Sequence, residues 1–165
     1  MGKSSNCSLK MLEQLEKNWP EYKLKVVPEV FMLFGVYEGL QEMEEAIASR
    51  YDLHCSDFRT LLHLRCYNQE KVLSPTDLYS SLNLTSGGLT KILHRLTNKG
   101  LVKRMENPED KRSSLVQLTQ SGEDILTQVM EELSDEDHRL FAVLSNTERE
   151  TLKSVCVKML THMAE

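Results

Sequence analysis

The stretch from Leu73 to Leu118 constrains the fold of this chain most. Ser74 precedes Pro75, and Asp77 follows closely. A serine hydroxyl can therefore accept from the unpaired N–H groups of a helix that opens on proline, with negative charge in its first turn. Leu78 and Leu82 share one face of that helix. Asn83 and Leu84 break it, and Thr85 or Ser86 can cap a second helix in which Leu89, Ile92, Leu93 and Leu96 recur at helical spacing. Gly87, Thr90, Lys91 and His94 then face outward, and Gly100, free to adopt a left-handed conformation, stops the helix. Leu101 to Glu106 and Ser113 to Leu118 are β-leaning runs joined by the turn-forming Asn107-Pro108-Glu109-Asp110-Lys111-Arg112. Helix, turn, helix and hairpin in this order predict a mainly α fold with a small β wing, a winged helix-turn-helix.

The flanks are helical. Ser8 to Asn18 spaces Leu9, Leu12 and Leu15 on one side and stops at Trp19-Pro20. Pro28 opens a long helix through Arg50, whose apolar positions are Val30, Leu33, Phe34, Tyr37, Leu40, Met43 and Ile47. Ser56 or Asp57 is placed to cap a third helix, Phe58 to Tyr67, with Phe58, Leu61 and Leu62 spaced to pack under the reading head. Thr119 restarts a helix with Ile125, Leu126, Val129, Met130 and Leu133 as its stripe. Ser145 with Glu148, or Thr147 with Glu150, offers a capping box for the last helix, which carries Leu152, Val155, Cys156, Met159, Leu160 and Met163. So much apolar surface on terminal helices, with little chain left to cover it, predicts burial against a second copy. The chain is accordingly divided into 1–55 and 119–165, for dimerisation, and 56–118, the winged helix-turn-helix between them.

Net charge is −5, which by itself disfavours a polyanionic partner, but the charge is uneven. Thr85 to Arg112 holds seven Lys or Arg against three acids, whereas Thr119 to Glu165 holds four against ten. A basic reading head on acidic packing helices suits local contact with phosphates, since charges more than about 8 Å away are screened at physiological salt. No apolar run approaches the roughly 18 residues that span a bilayer, and Met1 to Lys10 lacks the apolar centre of a signal peptide, so no membrane partner and a cytoplasmic location are expected. Cys7, Cys55, Cys66 and Cys156 show no C-x-x-C pairing and read as reduced thiols. His63 and Cys66 lie three apart on a helix, but no second pair completes a tetrahedral set, so no metal is expected. Nucleophile elbows, phosphate loops, H-E-x-x-H and dinucleotide fingerprints are all missing, which leaves no catalytic residue or cofactor to assign.

Thr85 to Leu101, then Asn-Pro-Glu-Asp-Lys-Arg at 107–112, then Val116-Gln117-Leu118-Thr119-Gln120-Ser121-Gly122 resembles the MarR-type bacterial transcriptional regulators, and the likeness extends along nearly the whole chain. The resemblance implies an intertwined homodimer on double-stranded DNA. Each recognition helix would enter a major groove of a pseudo-palindromic operator, and each wing a minor groove. The implied DNA-contacting residues are Ser86, Gly87, Thr90, Lys91 and His94 on the helix, with Lys103, Asp110, Lys111 and Arg112 on the wing. In the family's Asp-x-Arg pattern the acid braces the loop and the arginine enters the minor groove, where negative potential is concentrated. Repression, relieved by a small aromatic or anionic effector, is the implied action.

Ser8 to Tyr22 resembles the N-terminal extension of a urate-responsive branch, which points to Trp19 as a ligand contact or as an anchor packing the first helix onto the dimer. Arg95 matches a ligand-contacting arginine of that branch. Arg59 stands where the branch carries an acid, which reverses the ligand charge that is favoured. Two alternatives remain: redox sensing through Cys55 or Cys66, which are otherwise structural thiols, and a winged-helix module that binds an acidic protein partner.

Overall fold

The computed structural model describes residues 5–82, 85–108 and 113–165. Among them, helix α1 (Ser5–Asn18) begins earlier than the expected Ser8 and is followed by a 3-10 turn, Pro20–Tyr22. Helix α2 runs Pro28–Arg50, as its apolar period predicts. Helix α3 (Cys55–Tyr67) starts before the predicted Phe58. Its N-cap is His54 rather than Ser56 or Asp57, because Asp57 at the third helical position accepts the His54 N–H at 3.1 Å and closes the helix start one turn earlier. Helix α4 is Pro75–Leu82, where Ser74 Oγ accepts the Asp77 N–H at 3.1 Å as expected. Helix α5 is Ser86–Asn98, capped by Thr85. Helices α6 (Gln120–Phe141) and α7 (Asn146–Met163) complete the chain, the last opening on the Ser145–Glu148 box.

The wing contains more than the predicted hairpin. Strands β2 (Val102–Glu106) and β3 (Ser114–Leu118) pair antiparallel with Arg104 opposite Val116, and a third strand, β1 (Val72–Leu73), lies on the other side of β3 with Leu73 opposite Val116. Leu73, directly before the Ser74 cap, belongs to this strand. Asn68 makes the short strand possible by bonding both the N–H and the carbonyl of Val72 with its side chain, at 3.1 and 2.8 Å. Lys71, at φ 57°, turns the chain into it.

The chain divides into two compact units, residues 1–129 and 130–165. In the first, the core gathers Phe58, Leu61 and Leu64 of α3, Leu78 of α4, Leu89, Ile92, Leu93 and Leu96 of α5, Val102, Val116 and Leu118 of the sheet, and Leu126 and Val129 of α6, all buried. Each such side chain contributes roughly 1.5–3 kcal/mol by leaving water. This core seats α5 with its apolar face down.

One junction ties α5, the wing and α6. The Leu101 N–H bonds Leu96 O at 3.0 Å and the Gly100 N–H bonds Thr97 O at 2.9 Å, with Gly100 at φ 70°, a Schellman ending. The Leu101 carbonyl then accepts the Thr119 N–H at 3.1 Å. Thr119 Oγ1 donates to Gly100 O at 2.7 Å and accepts the Gly122 N–H at 3.1 Å. Gly122 is buried here, and a Cβ on it would overlap the Leu101 carbonyl and come within 2.8 Å of Leu118 Cδ1. Gly122→Ala should therefore lower stability by about 1–3 kcal/mol in urea unfolding, since neither backbone nor packed leucine has room to yield. An unchanged unfolding midpoint would show that the junction relaxes without cost.

Candidate nucleic-acid interface and its anchors

Helix α5 presents two faces of opposite character. Leu89, Ile92, Leu93 and Leu96 are buried, while Gly87, Thr90, Lys91 and His94 are exposed on the other side. Thr85 Oγ1 accepts the Gly88 N–H at 3.1 Å, and a Cβ at position 88 would lie only 3.0 Å from that oxygen, so Gly88 leaves room for the cap. Gly87 has a different surrounding: nothing lies within 4 Å of where its Cβ would be. Its openness leaves the first turn approachable, where unpaired N–H groups and the helix dipole favour an anion. His94 Nδ1 lies 3.3 Å from Asn98 Nδ2 one turn on.

On the wing, Lys103 and Arg104 are exposed on β2, and Arg104 Nη1 donates to Ser114 Oγ across the hairpin at 3.3 Å. Asp110, Lys111 and Arg112 lie outside the described residues, as does the side chain of Ser86. The polar groups described on α5 and β2 can donate to phosphates and base edges, which is the chemistry a DNA groove requires.

Two further basic residues, Arg95 of α5 and Lys99 at its C-cap, do not belong to that surface. Arg95 grips Asp57 of α3, its Nε 3.0 and 2.7 Å from the two carboxylate oxygens and its Nη2 2.5 Å from Oδ1. Asp57 is completely buried. Its carboxylate holds the Arg95 guanidinium even more firmly protonated than usual. One turn on, Lys99 donates to both the backbone carbonyl and the carboxylate of Asp52, the latter at 2.7 Å, and holds the Asp52 carboxyl below its ordinary range. The sequence tally of seven basic residues thus overstates the charge available to DNA. Asp52 and Asp57 lie upstream of the counted window, separated from their cations by 47 and 38 positions, so spacing alone carried no sign of either pairing.

The three residues proposed as ligand contacts fall in separate surroundings. Trp19 packs against Tyr22 with ring centroids 4.1 Å apart and planes tilted by 47°, and borders an apolar groove of about 640 Å³ with Met11, Leu15 and Phe31. Arg59 is paired with Glu44 of α2 through Nε at 2.8 Å and Nη2 at 2.5 Å, which raises its affinity for its proton. Arg95 lines a cleft of about 170 Å³ with Glu45, Ser49, Asp52, Leu53, His54 and Lys99, below the C-terminal half of α5. Both acids and bases face this cleft, and the Glu45 carboxyl is held below its ordinary range chiefly by the Cys55 N–H it accepts at 2.8 Å.

Cys55, at the start of α3, has its thiol pushed up to about 12 by burial and by the negative charge of Glu44. Cys66 is exposed. Among the described residues no group of His, Cys, Asp and Glu is arranged to hold a metal ion, and no helix is long and apolar enough to cross a membrane.

The geometry agrees with known proteins. The MarR family model matches residues 58–114, from the core of α3 to the start of β3. The multiple antibiotic resistance protein MarR of Escherichia coli K12 is 30% identical over 137 residues, which are 82% of this chain and 93% of that protein. The apo structure of wild-type E. coli MarR matches with a TM-score of 0.70 at 31% identity, covering 82% of this chain and 98% of that one. A C80S mutant of the same protein, solved in complex with operator DNA, gives 0.68 at 28% identity, over 88% and 97%. With identity at this level over more than four-fifths of its length, and with the winged head built as described, the chain belongs to the MarR family of winged-helix transcriptional regulators and is not an enzyme.

Proposed function

We propose that the protein binds a pseudo-palindromic operator as a homodimer and represses transcription until a small molecule releases it. The observation that carries this reading is the exposed row Gly87, Thr90, Lys91 and His94 on a helix whose other face is locked into the core, flanked by Lys103 and Arg104 on the wing. A helix in this setting matches the width of a major groove, and cations on the hairpin beside it suit the adjacent backbone. Support also comes from E. coli MarR, which has been crystallised with operator DNA. Ser86, Asp110, Lys111 and Arg112 join this surface on the strength of the sequence pattern.

The dimer follows from surface that one copy leaves uncovered. Val30, Met32, Leu33, Phe34, Val36 and Tyr37 of α2 are all exposed, Phe34 at 60%. Helix α7 has no buried residue, and its Leu160 is 67% exposed. Apolar stripes of this extent call for burial against another chain, and a second copy provides the two reading heads that a palindrome needs.

The effector is a small aromatic or anionic molecule. The cleft beside Arg95 and Lys99 offers cations for the anionic case, and the groove beside Trp19 offers an aromatic wall. A molecule that prefers one spacing of the heads shifts the equilibrium by its difference in affinity. Redox control through Cys55 fits less well, because a thiol held near 12 supplies little thiolate at neutral pH.

Selection of bound sequences from random duplex DNA should return a palindrome, bound on the order of 10³ times more tightly than random duplex at physiological salt. Arg112→Ala should lose about 1–3 kcal/mol of operator binding, and Lys103→Ala should reduce the salt slope by about one. Equal weak binding to all duplexes would instead favour an acidic protein as the partner of the basic face. Iodoacetamide at pH 8 should label Cys55 on the order of a thousandfold more slowly than an unperturbed thiol, with mass-resolved peptides as the readout; labelling at the rate of Cys7 would restore Cys55 as a redox candidate.

A further inference from the structure

We infer that Asp52 and Asp57 are positioning residues for DNA reading: from the corner between α2 and α3 they grip Lys99 and Arg95 on the rear of the recognition helix and set the pitch at which it is presented. The inference rests on the DNA-binding reading above and names what aims that surface.

The corner is stiff. Leu53 N–H bonds Ala48 O at 3.1 Å and Asp52 N–H bonds Ser49 O at 3.1 Å, so α2 ends in a Schellman motif with Asp52 at its left-handed position, φ 57°. Glycine is the usual residue there, and any side chain carries a conformational cost. At this position Asp52 directs both its carbonyl and its carboxylate to Lys99 Nζ. Asp57 is equally fixed: the carboxylate that holds Arg95 through three contacts also accepts the His54 N–H at 3.1 Å, so it cannot swing away without unseating the first turn of α3.

Arg95 and Lys99 are one helical turn apart, and two grips on one helix restrain its tilt where a single grip would leave it free to pivot. Gly87 lies eight residues before Arg95, a lever of roughly 12 Å at 1.5 Å per residue. A tilt of about 10° at the grips would move Gly87 by roughly 2 Å, far more than a hydrogen bond tolerates. In a dimer the displacement is applied at both heads, so the separation of the two helices changes with it. The grips thus connect the end of α2, whose exposed apolar face the proposed dimer covers, to the face of α5 that meets DNA.

Asp52→Gly separates aim from stability, because glycine relieves the left-handed backbone while removing the carboxylate that holds Lys99 and leaving only the backbone carbonyl of that grip; Asp57→Asn keeps an oxygen for the His54 N–H but removes the charge that holds Arg95. In the full-length protein, affinity is measured for the selected operator and for versions with one base pair inserted or deleted between the half-sites, alongside amide hydrogen exchange of α5 without DNA. Both variants should bind the operator roughly tenfold more weakly, discriminate less between spacings, keep the wild-type salt slope, and exchange the C-terminal amides of α5 faster. Asp52→Gly should melt no lower than wild type.

Wild-type spacing discrimination or unchanged exchange in a folded Asp52→Gly protein would overturn the inference, and that variant decides alone if Asp57→Asn does not fold. If the wild-type protein shows no operator preference, the DNA reading is what has failed. Exchange in α5 then still reports whether the grips hold the helix.

Discussion

The Leu101 carbonyl is the point on which the reading head closes. It comes at the end of the Schellman turn that stops α5, and it accepts the N–H of Thr119, where β3 gives way to α6. Four elements therefore meet around one peptide group: the recognition helix, both long strands of the wing, and the helix that leads on to the second unit. Thr119 bridges the joint with a hydroxyl that donates to Gly100 and accepts from Gly122. Such a joint tolerates no Cβ on Gly122, and a buried peptide carbonyl cannot lose its donor cheaply. The orientation of the wing to α5 follows from this geometry, and with it the relation between the two surfaces proposed to meet DNA.

What could be read in the sequence was local. Caps at Ser74, Thr85 and Ser145 and the αL stop at Gly100 all depend on residues within one turn of each other, and each occurs at a position the sequence offered. The misses share a cause. Strand β1 has two residues, too few to show a period, and depends on an asparagine side chain to hold its backbone. The start of α3 moved because Asp57 acts at the third position of the helix and not at its cap. The pairs Arg95–Asp57, Lys99–Asp52 and Arg59–Glu44 join residues 38, 47 and 15 positions apart, and nothing in the order of residues marks which charges will meet.

Those pairs alter the electrostatic picture more than its sign. An acidic chain can hold a polyanion if the facing surface is basic, and Lys91, Lys103 and Arg104 remain exposed on α5 and β2. Arg95 and Lys99 are occupied on the scaffold side. What remains toward DNA is a smaller charge in a better-defined place, which favours the recognition of one geometry over indiscriminate attraction to phosphate.

A fully buried aspartate is a poor choice if stability alone is the aim. Desolvating a carboxylate costs several kcal/mol, and its attraction to a guanidinium offsets that cost only when the geometry is good and the remaining lone pairs are satisfied. Asp57 meets both conditions, with three contacts from Arg95 and a fourth from the His54 N–H. An apolar pair of similar volume would pack as tightly but would permit rotation and sliding, since dispersion has no preferred direction. A bidentate ion pair is directional, and here it acts between the end of one element and the flank of another. Its physical advantage over a hydrophobic contact is the angle it enforces, which is the variable that matters to a helix required to enter a groove.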